Sequence, residues 1–411
     1  MISVTLVREE PDRVREGILK KGGDPDLVAS FLELDREWRA LKQETDEFRG
    51  EQKRLGAEHR GEAIALKEKI AACEGRLGMI EKERDILLER FPNIPADDVP
   101  VGKDDGENVV MRTVGEPTRF GFEPRDYLSL AGGLINTEQA GKVSGSRFGY
   151  ILGDLVLLEF AVIRLALDTL APLGFVPVLP PVMAKPSVMR GMGKAKFLNE
   201  KDAFYLPEDD LYLTGSSEHT IGPFHMDETL DEKSLPRRYV GFSACFRREA
   251  GSYGKDTRGI MRVHQFNKVE MFSFAKPADS EREHQFLLER QEELVRKLGL
   301  PYRVVAICTG DMGFGDYRQF DVETWFPGEN KYRETHSCSN TTDFQSRGVT
   351  IRYHDAETGR PEFVHTLNAT AFSERIILAI MENYQTKEGS VTVPDALRGY
   401  LGTSELHLKG A

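Results

Sequence analysis

Charged and aromatic side chains alternate along two segments in the middle of the chain. Arg247 and Glu249 stand two residues apart, and Phe266, Lys268 and Glu270 repeat that spacing. If both segments are strands, side chains two apart point to one face of the sheet. A guanidinium clamps a phosphate or carboxylate through two hydrogen bonds, and a carboxylate accepts from an amino group. The pattern predicts a surface for anions and amines, or alternatively a hairpin with ordinary cross-strand ion pairs.

The longer phrase around these residues, FRREAGSYGKDTRGIMRVHQFNKVEMF (residues 246–272), resembles motif 2 of the class II aminoacyl-tRNA synthetases. The resemblance is closest to bacterial-type seryl-tRNA synthetase and continues in order along almost the whole chain. The other matching phrases are VSGSRF (143–148), GFVPVLPP (174–181), TGDMG (309–313), RETHSCSNTTDFQSR (333–347), HTLNAT (365–370) and ENYQTKEGSVTVPDALRGYLG (382–402).

The resemblance implies an enzyme that joins L-serine to serine tRNA at the expense of ATP. It assigns serine binding to Ser216, Ser217, Glu218, Arg247, Glu270, Asn368 and Thr370. Glu270 should take the serine ammonium and hydroxyl, and Thr370 with Asn368 should complete the hydroxyl pocket. Such a pocket rejects alanine because its buried polar groups would be left unpaired.

The resemblance assigns ATP binding to Arg247, Glu249, Val263, Phe266, Glu334, Thr335, His336, Ser337 and Arg375. Arg247 should bridge the α-phosphate and the serine carboxylate, and Glu249 should read the adenine edge. Phe266 and Arg375 should sandwich the adenine ring. Residues 334–337 are expected to form a loop along the phosphates. Glu334 and Ser337 should offer hard oxygen ligands to Mg²⁺ bound with ATP, and His336 is interpreted as a positioned histidine rather than a base.

Two segments depart from the family pattern. Ser216-Ser217-Glu218 stands where the family usually has Thr-Ala-Glu, so one hydroxyl and the carboxylate are kept. The segment between Thr370 and Arg375 is one residue short, and Ala371 to Glu374 replaces the usual turn of small residues. No cysteine falls in the segments aligned with the serine contacts, so no zinc is expected.

The N-terminal part has a heptad pattern. Residues that are apolar, or that the seam of a coiled coil tolerates, recur alternately four and three positions apart. Mostly charged residues stand between them. They are Leu27, Phe31, Leu34, Trp38, Leu41, Thr45, Phe48, Gln52 and Leu55, then Ala63, Leu66, Ile70, Cys73, Leu77, Ile80, Arg84 and Leu87. Two such runs joined near Gly56 to Gly61 predict an antiparallel coiled-coil hairpin. Periodicity alone also allows a dimerisation or spacer element, whereas the resemblance implies a tRNA-binding arm.

The rest of the chain predicts an α/β mixture. Residues 239–249 and 264–274 read as strands, 154–170 as a buried helix, and 97–115 as an acidic linker. Strands without regular βαβ repeats predict an antiparallel sheet flanked by helices. We therefore expect an α+β protein with a tRNA-binding domain at 1–105 and a class II catalytic domain at 116–411. Pro181 matches the motif 1 proline at the family's dimer interface, which implies a homodimer.

Composition limits the remaining choices. The chain has 411 residues, a formal net charge of −12 and no apolar run long enough for a membrane span. Its four cysteines are far apart, which fits a reducing compartment, and we expect a cytoplasmic protein. An amino acid–carrier protein ligase and an inactive synthetase paralogue are the alternatives. The long hairpin argues against the first, and the complete set of catalytic residues argues against the second.

Overall fold

The computed structural model describes residues 1–55, 59–250, 256 and 258–408. The chain divides into two compact units, Met1–Ile94 and Pro95–Ala411. No described helix combines the length and apolar character needed to cross a membrane.

The first unit is helical. Its helices are α1 (Val4–Glu9), α2 (Pro11–Lys20), α3 (Leu27–Arg54) and α4 (Arg60–Leu88). Cross-helix ion pairs Arg49–Glu74 and Glu37–Arg76 show that α3 and α4 run antiparallel. No predicted heptad position is fully exposed, which confirms the hairpin; residues 56–58 of its link lie outside the described part of the chain. The base of the hairpin packs with α1 and α2 around Phe31 and Phe91, whose rings meet edge to face.

A buried carboxylate joins three elements at the hairpin base. Asp35 on α3 is fully buried and pairs with Arg8 at 2.8 Å, Arg84 at 3.0 Å and Arg39 at 3.1 Å. The Arg84 guanidinium also stacks 4.6 Å from the ring centre of Trp38. Arg84 therefore occupies a heptad position that would normally be apolar because Asp35 neutralises it there.

The second unit is built on one large sheet. Its strands are β1 (Val109–Val114), β2 (Ile135–Asn136), β3 (Tyr150–Ile151), β4 (Phe175–Val178), β5 (Met183–Ala184), β6 (Tyr205–Leu206), β7 (Leu211–Leu213), β8 (Thr229–Asp231), β9 (Arg237–Phe246), β10 (Gln265–Ala275), β11 (Tyr302–Ala306), β12 (Arg318–Phe326), β13 (Lys331–Asn340), β14 (Arg352–His354), β15 (Pro361–Phe363), β16 (His365–Ser373), β17 (Val391–Thr392) and β18 (Glu405–Leu406). The eight-stranded sheet has the order β1-β11-β12-β13-β16-β10-β9-β4. Its pairs are antiparallel except β4–β9, so the predicted α+β architecture is confirmed.

Helices cover this sheet. They are α5 (Tyr127–Ala131), α6 (Thr137–Ser144), α7 (Asp154–Leu170), α8 (Pro186–Gly191), α9 (Ala195–Asn199), α10 (Glu218–Ile221), α11 (Ser280–Lys297), α12 (Phe344–Gly348), α13 (Arg375–Asn383) and α14 (Asp395–Leu401). Three of them, α7, α11 and α13, supply buried apolar side chains to the main core, which also contains Val269, Met271 and Leu367 of the central strands. Packing in that core holds β10 and β16 in position beneath the helices.

Two sequence expectations are wrong. The predicted linker 97–115 contains β1, which pairs with β11 at the sheet edge, and Val99 is buried beside Val305. The acidic composition of that segment concealed a short edge strand with polar flanks. Helix α7 is buried on one face only, since Leu157 and Phe160 are 56% and 58% exposed.

Replacing Asp35 by asparagine should destabilise the first unit by about 3 kcal/mol, because Arg84 would keep its burial and lose its counter-charge. Denaturant unfolding of the full-length protein, followed by helical circular dichroism, measures the loss. Asp46→Asn is the matched control on the same helix, since its partners are exposed and the change should cost under about 0.5 kcal/mol. Equal effects of the two substitutions would contradict the role given to Asp35.

Candidate active site

A cavity of about 540 Å³ opens on the central strands of the large sheet. It gathers most of the residues predicted from the sequence to bind ligands. Those that line it are Ser216, Glu218, Arg247, Glu249, Val263, Phe266, Glu334, Thr335, Ser337, Asn368, Thr370 and Arg375. Ser217, Glu270 and His336 do not line it, although Glu270 lies directly below.

Strand pairing brings these residues to one face. Glu270 on β10 stands opposite Thr370 on β16, and Asn368 stands opposite Ser339 on β13. Side chains that alternate along each strand therefore converge on one floor. Phe266 lies at the end of that floor, with the Arg247 guanidinium 5.3 Å from its ring centre.

Two β-bulges adjust the floor. In the β10–β16 pair, Val269 opposes Phe372 while Glu270 opposes Thr370, so Ala371 is the extra residue. In the β12–β13 pair the extra residue is Thr335, between Glu334 and His336. Each bulge allows side chains three apart to face the same cavity.

Arg247 and Glu249 lie beyond the strand that was expected to hold them. Strand β9 ends at Phe246, and Glu249 has a left-handed backbone, with φ of 53°. The backbone of Arg247 still donates to the carbonyl of His264 at 3.0 Å, and its Nε donates to the carbonyl of Gly215 at 3.1 Å. Arg262 holds the Glu249 carboxylate at 2.6 Å. Hydrogen bonds rather than strand alternation thus place both residues at the cavity. Residues 251–255 and 257 of the same motif lie outside the described residues.

Two buried carboxylates at one corner are each paired with a lysine. Glu218 Oε1 lies 2.8 Å from Lys194 Nζ and accepts from Gln345 Nε2 at 2.6 Å. Glu270 Oε2 lies 2.5 Å from Lys268 Nζ. The corner therefore already accommodates ammonium groups against both carboxylates.

The two carboxylates titrate in opposite directions. Burial would raise the pKa of Glu218, but Lys194 and the other cations outweigh it and bring the pKa to about 2. Burial raises the pKa of Glu270, and the opposing charge of Lys268 does not cancel it. An added ammonium ion would favour the ionised form of Glu270.

A second corner carries Arg375, Glu334, Ser337 and Asp321. Arg375 Nη1 lies 3.1 Å from Glu334 Oε2, and Asp321 stands opposite Ser337 in the β12–β13 pair. Burial and the charge of Glu334 raise the pKa of Asp321 well above its ordinary value. Burial acts the same way on Glu334, but Arg375 and other arginines leave its pKa lowered. Two carboxylates and a hydroxyl at one cavity wall suit a hard divalent cation.

This donor set is not a complete metal site. Within residues 1–55, 59–250, 256 and 258–408, no group of three or more His, Cys, Asp or Glu side chains is arranged to hold a metal. A magnesium ion at this corner would need further oxygen ligands, such as phosphates.

His336 and Ser217 lie behind the cavity wall. Residues 334–337 belong to strand β13, which corrects the expected loop. His336 is buried, and its Nδ1 lies 2.8 Å from Thr335 Oγ1. Burial lowers the pKa of His336 to about 3, so it is neutral at pH 7 and packs against Phe372. Ser217 shares a 2.7 Å hydrogen bond with Ser243.

Comparisons with known proteins agree with this arrangement. Residues 1–95 match the seryl-tRNA synthetase N-terminal domain, and residues 204–384 match the tRNA synthetase class II core domain (G, H, P, S and T). A serine–tRNA ligase of Thermobifida fusca is 44% identical, with 99% of each chain covered.

The chain belongs to the seryl-tRNA synthetase family.

Solved members of this family have the same fold. The seryl-tRNA synthetase of Pyrococcus horikoshii complexed with ATP has a TM-score of 0.93 at 38% identity, with 99% of both chains covered. The cytoplasmic serine–tRNA ligase of Naegleria fowleri in complex with AMP has a TM-score of 0.89 at 34% identity, covering 100% of this chain and 99% of that one. The resemblance inferred from the motifs is thus confirmed.

Sequence reasoning missed several residues of this synthetase that touch the predicted site. Lys194 and Gln345 come from separate helical segments, and they reach Glu218 only through tertiary packing. Asp321 and Arg262 could have been found, since Asp321 stands between the apolar residues Phe320 and Val322 and Arg262 is a cation within motif 2. Lys268 was placed on the correct face but not paired with Glu270.

Proposed function

We propose that the chain is a serine–tRNA ligase that forms seryl-adenylate from L-serine and ATP and then transfers the seryl group to the 3′-terminal adenosine of serine tRNA. The observation that carries this proposal is the cavity that collects most of the predicted serine and ATP residues in a member of this family. Serine-dependent exchange of pyrophosphate into ATP by the purified protein is the direct test.

The corner with Glu218 and Glu270 is proposed to bind serine. Lysine ammonium groups already lie against both carboxylates, so the same oxygens suit the ammonium of an amino acid. Thr370 and Asn368 on β16, near Glu270 on the paired strand, are proposed with Ser216 to satisfy the serine hydroxyl. Ser217, which bonds Ser243 behind the wall, is proposed to support this pocket rather than to contact serine. An alanine in this pocket would leave these polar groups unpaired.

The rest of the cavity is proposed to bind ATP. Arg247 would bridge the α-phosphate and the serine carboxylate, and Glu249, held by Arg262, would accept from the adenine amino group. Phe266 and Arg375 would enclose the ring, with Val263 beside it. Glu334 and Ser337 would hold magnesium together with the phosphates, and Thr335 and His336 would support that strand. The ion would supply positive charge to the phosphates.

The proposed chemistry depends on positioning. A serine carboxylate oxygen attacks the α-phosphorus, the bond to the bridging oxygen breaks, and pyrophosphate leaves. A ribose hydroxyl of the tRNA terminus then attacks the seryl carbonyl, the acyl–phosphate C–O bond breaks, and AMP leaves. The hydroxyl proton passes to the AMP phosphate or to solvent. Arg247 would stabilise the charge that develops on the α-phosphate. A neutral, buried His336 agrees with a reaction that uses no protein base at that position.

Replacing Glu270 by glutamine tests the serine pocket. The substitution keeps the shape but removes a charge-assisted contact worth about 1.5–3 kcal/mol. Serine-dependent kcat/KM should fall by roughly tenfold to 150-fold, and KM for ATP should change by less than about threefold. Glu357→Gln, an exposed acid on a distant turn, is the control. Exchange within twofold of the unaltered protein would place the serine pocket elsewhere.

The protein is also proposed to be a cytoplasmic homodimer. Leu157 and Phe160 on α7 and Val176 and Leu179 around β4 are all more than half exposed, with Leu179 at 81%. Apolar side chains concentrated in two neighbouring elements are typical of an interface between subunits. Sedimentation at micromolar protein should give a species near twice the 46.3 kDa chain mass. A single 46 kDa species would contradict the dimer.

The hairpin of the N-terminal domain, predicted as residues 1–105, is proposed to bind tRNA. Deleting it from Leu27 to Leu87 would remove Phe31 and Asp35, on which the base of the unit depends. A sharper variant replaces residues 42–74 by a short Gly/Ser turn. It retains the base, including the Glu37–Arg76 ion pair.

This shortened variant should keep pyrophosphate exchange within about fivefold, while serine transfer to tRNA should fall at least about a hundredfold. Several phosphate and groove contacts would vanish together, at about 1.4 kcal/mol per tenfold. Initial rates of exchange and of aminoacylation, measured on one preparation, give the comparison. Unchanged aminoacylation would contradict the arm's role. Parallel loss of both activities would show instead that the arm is needed for the catalytic unit.

A further inference from the structure

The shortened segment before Arg375 leaves a single residue between strand and helix. Strand β16 ends at Ser373 and helix α13 begins at Arg375, so Glu374 alone makes the connection. Its backbone is already helical, with φ of −52° and ψ of −26°. A charged side chain thus stands where the family usually has a small one, and it lines the active-site cavity.

The Glu374 carboxylate joins three elements. Its Oε1 accepts from the backbone N–H of Asn267 on β10 at 2.8 Å. The Asn267 side chain in turn donates from Nδ2 to Glu159 Oε1 on α7 at 2.9 Å. Asn267 directly follows Phe266, the aromatic wall of the cavity, and Glu374 directly precedes Arg375. The Glu374 side chain therefore links the backbone next to Phe266 with the backbone next to Arg375.

The charged groups around Glu374 are Glu159 from α7, Lys268 from β10 and Arg375 from its own helix. Lys268 directs its ammonium to Glu270 and Ser216. Arg375 directs its guanidinium to Glu334 and the Met261 carbonyl. Burial, followed by the charge of Glu159, raises the pKa of Glu374 to about 8, and burial also raises that of Glu159.

We propose that Glu374 is a positioning residue for nucleotide binding, which sets Phe266 through the backbone of Asn267 and sets Arg375 through the first turn of α13. This inference rests on the proposed function, in which Phe266 and Arg375 enclose the adenine ring. It assigns to this chain a side-chain clamp in place of the longer turn of small residues.

The Glu374 contact is expected to support nucleotide binding less well as pH rises. Because the pKa of Glu374 is raised, the carboxyl is mostly protonated at pH 7 and is neutral beside Glu159. As pH rises through about 8, Glu374 gains a negative charge that the charge of Glu159 opposes across Asn267. The Asn267 N–H bond favours the ionised carboxyl, but burial and Glu159 outweigh it, so the charged group is disfavoured in this position and nucleotide affinity should fall above pH 8. Glutamine keeps the acceptor oxygen and cannot ionise.

The test compares Glu374→Gln and Glu374→Ala with Glu388→Gln, an exposed acid in the same unit. Pyrophosphate exchange gives KM for ATP and for serine at pH 7 and pH 9, and calorimetry gives the affinity for ATP alone. Glu374→Ala should raise KM for ATP at least fivefold at pH 7, with KM for serine within twofold. The unaltered protein and Glu388→Gln should lose ATP affinity at least threefold between pH 7 and pH 9, whereas Glu374→Gln should change by less than twofold.

Two results would overturn the inference. One is a KM for ATP in Glu374→Ala within twofold of the unaltered protein. The other is a pH profile of Glu374→Gln that follows the unaltered protein, and this arm decides the matter if the alanine variant does not fold. Absence of serine-dependent exchange in the unaltered protein would refute the proposed function instead. The calorimetric affinities for ATP would still test the role of Glu374 in that case.

Discussion

Two β-bulges in neighbouring strands determine which side chains reach the active site. In a regular strand, residues three apart point to opposite faces of the sheet. The extra residue Ala371 lets Thr370 and Ser373 both line the cavity, while Phe372 turns into the core. The extra residue Thr335 does the same for Glu334 and Ser337, while His336 is buried behind them. The polar floor and the apolar core beneath it both follow from these two insertions.

Such a floor brings charged side chains close together, and carboxylates there are paired with lysines or arginines. Lys194 with Glu218, Lys268 with Glu270, and Arg375 with Glu334 each join a cation to a carboxylate at or below the cavity. An isolated buried charge at Glu218 or Glu270 would cost several kcal/mol, so their lysine partners allow the site to be polar and folded before ligands bind. Glu334 is 49% exposed, so solvent also stabilises its charge. Ligand ammonium and phosphate groups would then meet side chains of fixed position and charge, which is the condition for electrostatic stabilisation without reorganisation.

The parts of the structure that depend on periodicity could be predicted from the sequence. The heptads of α3 and α4, the alternation of Phe266 and Lys268 on β10, and the antiparallel sheet were all correctly inferred. The errors arose where an additional residue or a partner in space overrides periodicity. The loop expected at 334–337 followed from the resemblance, and the segment is instead a bulged strand. Helix α7 was expected to be buried because it is apolar nearly all round, yet one of its apolar faces is exposed. Contacts such as Lys194 with Glu218 have no local signature at all.

The short connection before Arg375 shows how the fold joins a strand directly to a helix. Because α13 is anchored in the core by Ile376, Ile377 and Ile380, the start of the helix cannot shift freely along β16. The bulge at Ala371 maintains the strand register on one side, and Glu374 enters the helix immediately on the other. A small residue in so short a connection would leave the Asn267 N–H without the acceptor that Glu374 supplies. A connection of one residue offers few backbone groups of its own, so the Glu374 side chain makes the contact to β10 at this junction.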